Sequence, residues 1–164
     1  MPIIEVEHLH KRYRDTVAVE DVSFTVERGE IFGIVGPNGA GKTTTVETLE
    51  GLRTPDRGTV RVLGLDPWRD RAELRQRVGV QLQQSDLYEK VRVGEALELF
   101  ASYRDPADPG RLLEDLGLAA KRDASFDKLS GGQRQRLSIA LALVGNPEDA
   151  FLALTGRPIP DSVP

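Results

Sequence analysis

Cysteine is absent from this 164-residue chain, which excludes disulfides and thiolate metal sites and permits an intracellular setting. Histidine is nearly absent. The two present, His8 and His10, are spaced for one face of a strand and read as partly exposed structural residues. A basic excess is missing too: 22 Lys and Arg stand against 26 Asp and Glu, for a net charge of -4. No nucleic-acid partner is therefore expected, because such a footprint needs a basic face. The longest apolar stretch, near Leu137 to Gly145, falls short of the ~20 residues of a membrane helix, so a membrane role would run through a partner. Met1 to Glu5 carries no basic segment followed by an apolar core, and no signal peptide is expected. What is present, 39% hydrophobic and 29% charged residues, is the ordinary composition of one domain with a real core.

Polar and apolar residues alternate from Ile4 to Leu9, and Val22 to Val26 reads as a second strand. "IFGIV", Ile31 to Val35, is apolar at every position, which predicts a central parallel strand buried on both faces. Helices are expected over Lys42 to Leu52, Arg69 to Arg77, Val93 to Tyr103, Pro109 to Leu116 and Gly131 to Val144. "TVRVLG" and "VGVQL" read as further strands. The turns are "TPDRG" at Thr54 to Gly58 and the Asp-Pro stretch from Asp105 to Pro109. Three prolines in the last eight residues predict a disordered tail.

Between the expected strand and helix lies Gly36-Pro37-Asn38-Gly39-Ala40-Gly41-Lys42-Thr43, which fits the phosphate-loop pattern in its required context. Glycines let backbone N–H groups turn inward toward phosphate oxygens, and the following helix aims its positive end at the same anion. Lys42 is expected to reach the β- and γ-phosphates, and the Thr43 hydroxyl, with Thr44 beside it, to meet magnesium and phosphate. The bland alternative is a flexible glycine turn. A chance match in a chain of this length is on the order of 1% from average residue usage, so the phosphate loop is preferred.

Far downstream comes Leu129-Ser130-Gly131-Gly132-Gln133. Ser130 is a helix N-cap candidate, and the two glycines expose backbone amides at the positive end of a helix. Alone, this could be an ordinary turn before an amphipathic helix. Together, the two motifs resemble the nucleotide-binding subunit of an ABC transporter. That resemblance implies a mostly parallel α/β sheet of phosphate-loop type, with an antiparallel N-terminal β part and a helical subdomain. It implies ATP and Mg2+ as ligands. Residues Leu129 to Gln133 become the signature that meets the γ-phosphate of ATP held by a second, head-to-tail subunit. Tyr13 stands where the family stacks an aromatic ring on adenine. Gln83 matches the family's magnesium-touching, permease-sensing glutamine, its spacing to Leu87-Tyr88 favouring it over Gln81 and Gln84. "GPNGAGKTTT", "GLRTPDRGTVRVLGLDP" and "LYEKVRVGEALELFASY" are similar to the ATPases of drug and antibiotic exporters, which pair with separate membrane permeases at the cytoplasmic face.

The family pattern then departs. After "NPE", four apolar residues should lead into an Asp-Glu pair that supports magnesium and polarises the attacking water, and a histidine should follow. Here Asp149 leads into Ala150-Phe151-Leu152-Ala153-Leu154 and then Thr155-Gly156. Glu148 and Asp149 precede the apolar run, at the wrong end of a strand, so no catalytic residue is assigned. Because "EDAFLALTGR" resembles the C-terminus of the exporter ATPases, an internal deletion between Asn146 and Asp149 is expected, with a degenerate catalytic strand as the alternative. The chain then reads as a truncated nucleotide-binding domain over residues 1–148 and a C-terminal remnant over 149–164, with an incomplete core. It would bind ATP and hydrolyse it poorly or not at all. The other function carried forward is a non-catalytic protein that occupies a permease or a full-length ATPase.

Overall fold

Alternation that begins at Pro2 continues past the expected limit in a computed structural model of the chain, building β1 (Pro2–Tyr13) and β2 (Thr16–Glu27) as one long antiparallel hairpin. Its turn holds Arg14 at φ 50, in the left-handed region tight hairpin turns demand. β3 (Arg57–Val62) pairs antiparallel with β1, giving the order β2-β1-β3. The structure describes residues 2–81, 87–103, 108–144 and the backbone of 150–153. These fall into two units, one within residues 2–75 and the other Gln76–Ala153.

In the first unit, Ile4, Val6, Leu9, Val19, Val26, Val60 and Val62 are buried along the three strands, and Leu49 is buried in α1 (Lys42–Leu49). The helix ends earlier than Leu52 because Gly51 turns it at φ +69. Leu52 N–H reaches back to Glu47 O at 2.9 Å and Gly51 N–H to Thr48 O at 3.1 Å, the paired bonds that close a helix through a left-handed glycine. His8 donates its backbone N–H to Ser23 Oγ and holds Asp21 through Nδ1, while His10 Nδ1 meets Glu20 O. Both histidines thus lace β1 to β2.

One expected strand does not form. Residues 31–35 have no strand assignment; Ile31 is 100% and Val35 91% exposed. Phe32 stacks on Phe24 at 4.8 Å between ring centroids. A central parallel strand exists through its neighbours' hydrogen bonds and covering helices. The three-stranded sheet offers this run neither, so its composition alone does not make it a strand.

The second unit is helical around a short parallel pair. α2 (Arg71–Arg77), most of it in the first unit, leads into β4 (Val78–Gln81), followed by α3 (Val93–Ala101), α4 (Pro109–Asp115) and α5 (Gly131–Leu143). Asp108 caps α4 by accepting from Arg111 N–H at 3.0 Å, with Pro109 in the first turn. Val93, Leu97, Leu113, Leu118, Phe126 and Leu137 form the core of this unit. β5 (Ala150–Ala153) runs parallel to β4, pairing Val78 with Ala150 and Gln81 with Ala153. The remainder of the expected C-terminal remnant and tail, the Asp105–Ala107 stretch, Glu148 and Asp149 lie outside the described residues.

Glu50 is the costly residue of the first unit. It is only 6% exposed, and neither carboxylate oxygen has a hydrogen-bond partner among the described residues. Burial first, and the nearby Glu47 charge second, push its pKa from 4.5 to about 7. A raised carboxyl pKa means the folded chain binds more protons than the unfolded one between those values, so stability falls as pH rises through that window. Glu50→Gln is expected to stabilise the fold by about 1–2 kcal/mol at pH 8 and to change it little at pH 4.5. Urea midpoints at the two pH values check this; an equal effect at both would reject it.

Candidate nucleotide site

The loop from Gly36 to Thr44 joins the apolar run to α1. At Gly41 the backbone has φ +81, and a Cβ there would lie 2.2 Å from Ala18 O. No side chain fits, so glycine lets the loop rest directly on β2. The first helical bond is Thr45 N–H to Gly41 O at 2.9 Å, which leaves the amides of Lys42, Thr43 and Thr44 on the open first turn. The Lys42 ammonium folds back over the loop, donating to Gly36 O at 2.8 Å and Pro37 O at 2.7 Å. Pro37, Asn38, Gly39, Ala40 and Thr43 are exposed. A ring of open amides, one ammonium and one accessible hydroxyl fits a polyphosphate. For magnesium the described chain supplies Thr43, and no cluster of three His, Asp or Glu stands among the described residues. Phosphate oxygens and water would have to complete an octahedral shell.

Tyr13 lies at the end of β1, paired across the turn with Thr16, two residues from the Ala18 carbonyl under Gly41. It is 37% exposed. Lys11 Nζ and Arg53 Cζ each stand 5.6 Å from its ring centroid. Each cation is itself tethered: Lys11 to Asp56 at 2.8 Å and Arg53 to Glu47 at 2.9 Å. Hydrogen bonds from Lys11 and from the Arg12 amide hold the Asp56 carboxyl below its ordinary pKa. Sequence reading named Tyr13 but neither Arg53 nor Glu47, which stand beside it or hold its neighbour and for which no local motif exists.

Within the second unit, Ser130 caps α5 in a reciprocal box. Its hydroxyl accepts from Gln133 N–H at 3.3 Å, and Gln133 Oε1 accepts from Ser130 N–H at 2.9 Å. Leu129 is buried, whereas Gly131 and Gly132 are exposed, and a Cβ on either would meet open space. Just upstream, hydrogen bonds from Lys90 and Ser125 hold the Asp127 carboxyl down at about 2, and Arg134 donates to Asp127 O. Ser130→Ala should therefore cost about 1 kcal/mol of stability, read as a lower urea midpoint; an unchanged midpoint would show the cap to be idle. Gln81, the competitor of Gln83, is buried in β4. Gln83 and Gln84 lie outside the described residues, as do Thr155 and Gly156.

Fold and loop together define a phosphate-loop nucleotide-binding protein. The family model described as ABC transporter matches residues 19–152, and the chain belongs to that family. It is 43% identical over 154 residues to the Nod factor export ATP-binding protein I of Ralstonia nicotianae, covering 90% of this chain and 48% of that protein. The same-named protein of Burkholderia lata is 42% identical over 157 residues, covering 90% and 51%. The chain thus spans about half the length of these curated relatives. Among solved structures, the ADP conformation of an ATP-binding cassette of an ABC transporter is similar at TM-score 0.82 and 24% identity, over 96% of this chain and 82% of that one. A nucleotide-free cassette gives 0.78 and 23%, over 96% and 82%. At these identities the structures speak for the fold alone. No helix among the described residues is long and apolar enough to cross a membrane.

Proposed function

We propose that this chain is an ATP-binding subunit of an ABC exporter, working with a separate membrane permease at its cytoplasmic face. The observation that carries the reading is the open first turn of α1 beneath Lys42, in a chain that also presents the exposed glycines of a capped α5. Those are two anion-binding helix starts, each in its own unit. In this reading Gly36 to Thr44 hold the ATP phosphates, Thr43 and Gln83 meet Mg2+, and Tyr13 carries the adenine. Residues Leu129 to Gln133 face ATP held by a second subunit. Magnesium, bound with the nucleotide, would neutralise phosphate charge. The names of the relatives support export; drug or antibiotic cargo rests on the exporter-like stretches around "GLRTPDRGTVRVLGLDP", and the permease rather than this chain would select it.

An internal deletion near Asn146 to Asp149 accounts for the missing acidic pair. The parallel pairing of β5 with β4 and the family match running to Leu152 also favour the degenerate catalytic strand, and the sequence of the native locus decides between them. ATP binding without turnover follows from either. Co-expression with the permease of the same locus tests the assignment: the chain should co-purify with it in detergent, more strongly with Mg-ATP. Absence from the permease fraction, while a full-length relative is retained, would reject it. Capture by the permease together with no nucleotide binding would favour the non-catalytic modulator.

A further inference from the structure

The bracket around Tyr13 goes beyond the nucleotide reading on which it rests. Tyr13 ends a strand beside a two-residue turn, a place where an aromatic side chain is ordinarily free to change rotamer. Here Arg53 stands over the ring. It comes from the segment that closes α1, where its own N–H and that of Leu52 both end on Glu47 O, at 3.1 and 2.9 Å. The Glu47 carboxylate takes Arg53 Nε at 2.9 Å. One residue of α1 therefore fixes both the backbone and the guanidinium of Arg53, and α1 is the helix whose first turn forms the phosphate cradle. Lys11, tied to Asp56, supplies the second cation on the ring. Hydrogen bonds tie Arg53 to α1, and a cation–π contact carries that tie to the ring.

We infer that Arg53 is a positioning residue for nucleobase recognition, holding the Tyr13 ring in register with the phosphate cradle through Glu47. A cation near an aromatic face is attracted to its quadrupole, and a planar guanidinium held by a carboxylate keeps that placement better than a free ammonium does. Arg53 stands over the ring, and in this role it acts on the base platform rather than on the phosphates. Its effect should therefore appear on ligands with a base and vanish on those without.

Competition against a fluorescent ATP analogue tests this on the full chain, using ATP and inorganic tripolyphosphate as competitors. Arg53→Ala should weaken ATP about 5- to 10-fold and leave tripolyphosphate within twofold. Glu47→Gln should weaken ATP in the same direction by a smaller factor. In a Tyr13→Ala background, Arg53→Ala should have no further effect on ATP, since coupled residues are non-additive. Melting curves confirm that each variant is folded, and Arg53→Lys, which keeps charge without the planar fork, should lie between parent and Arg53→Ala. Equal loss for ATP and tripolyphosphate would make Arg53 a phosphate cation and overturn the proposal, as would no loss for either or additive losses with Tyr13→Ala. A parent that binds tripolyphosphate as tightly as ATP would overturn this proposal and leave the phosphate cradle standing. A parent that binds neither would overturn the nucleotide reading, and this proposal with it.

Discussion

Lys42→Ala is expected to lower ATP affinity at least about 100-fold. The ammonium is the cation folded over the loop, and it already makes two short bonds there, to Gly36 O and Pro37 O. A bound triphosphate would take over those donors as charge-assisted bonds, each contributing roughly 1.5–3 kcal/mol. Alanine removes them and leaves the open amides of α1 as the remaining anion donors, weak on their own. Titration with a fluorescent ATP analogue gives the affinity. A thermal shift should agree, because ligand at 100 times its dissociation constant stabilises a fold by roughly 2.7 kcal/mol. Equal affinity in parent and variant would remove the loop from the nucleotide site altogether.

Saturating Mg-ATP should yield no steady-state phosphate release above background from the isolated chain. In the sequence, the apolar residues from Ala150 to Leu154 are followed by Thr155 and Gly156, neither of which carries charge or takes a proton. Loss of a general base alone typically costs ~10²–10⁴ in rate. The family's metal-supporting carboxylate and its histidine are missing with it, since both histidines of this chain lie before the loop. Installing Thr155→Asp with Gly156→Glu should not restore turnover, because the histidine would still be lacking. Sustained release that disappears in Lys42→Ala would overturn the expectation and point to Glu148 or Asp149 as an acid that reaches the site.

Sequence alone determined the parts whose geometry is local. The phosphate loop needs its glycines, lysine and threonine within a few residues, and Gly41 obliges with a backbone turn no other residue would accept against Ala18 O. The box between Ser130 and Gln133 spans one helical turn, so a four-residue pattern was enough to place the start of α5. Pro109 opening α4 belongs to the same class of short-range constraint, whereas the helix expected to reach Leu52 stopped short, its end set by the backbone turn at Gly51. Tertiary structure decided whatever depended on distant partners. "IFGIV" has the composition of a buried parallel strand, yet it remains outside the β2-β1-β3 sheet with Ile31 fully exposed, because an extended backbone is stabilised by neighbours and not by its own side chains. β5 is a strand for the opposite reason: four residues too short to be read reliably found the edge of β4. Arg53 reached Tyr13 only because Glu47 and the turn at Gly51 brought the end of α1 back beside the hairpin. Local hydrogen-bond rules are written into adjacent residues, whereas pairing and bracketing are chosen by the fold that brings distant ones together.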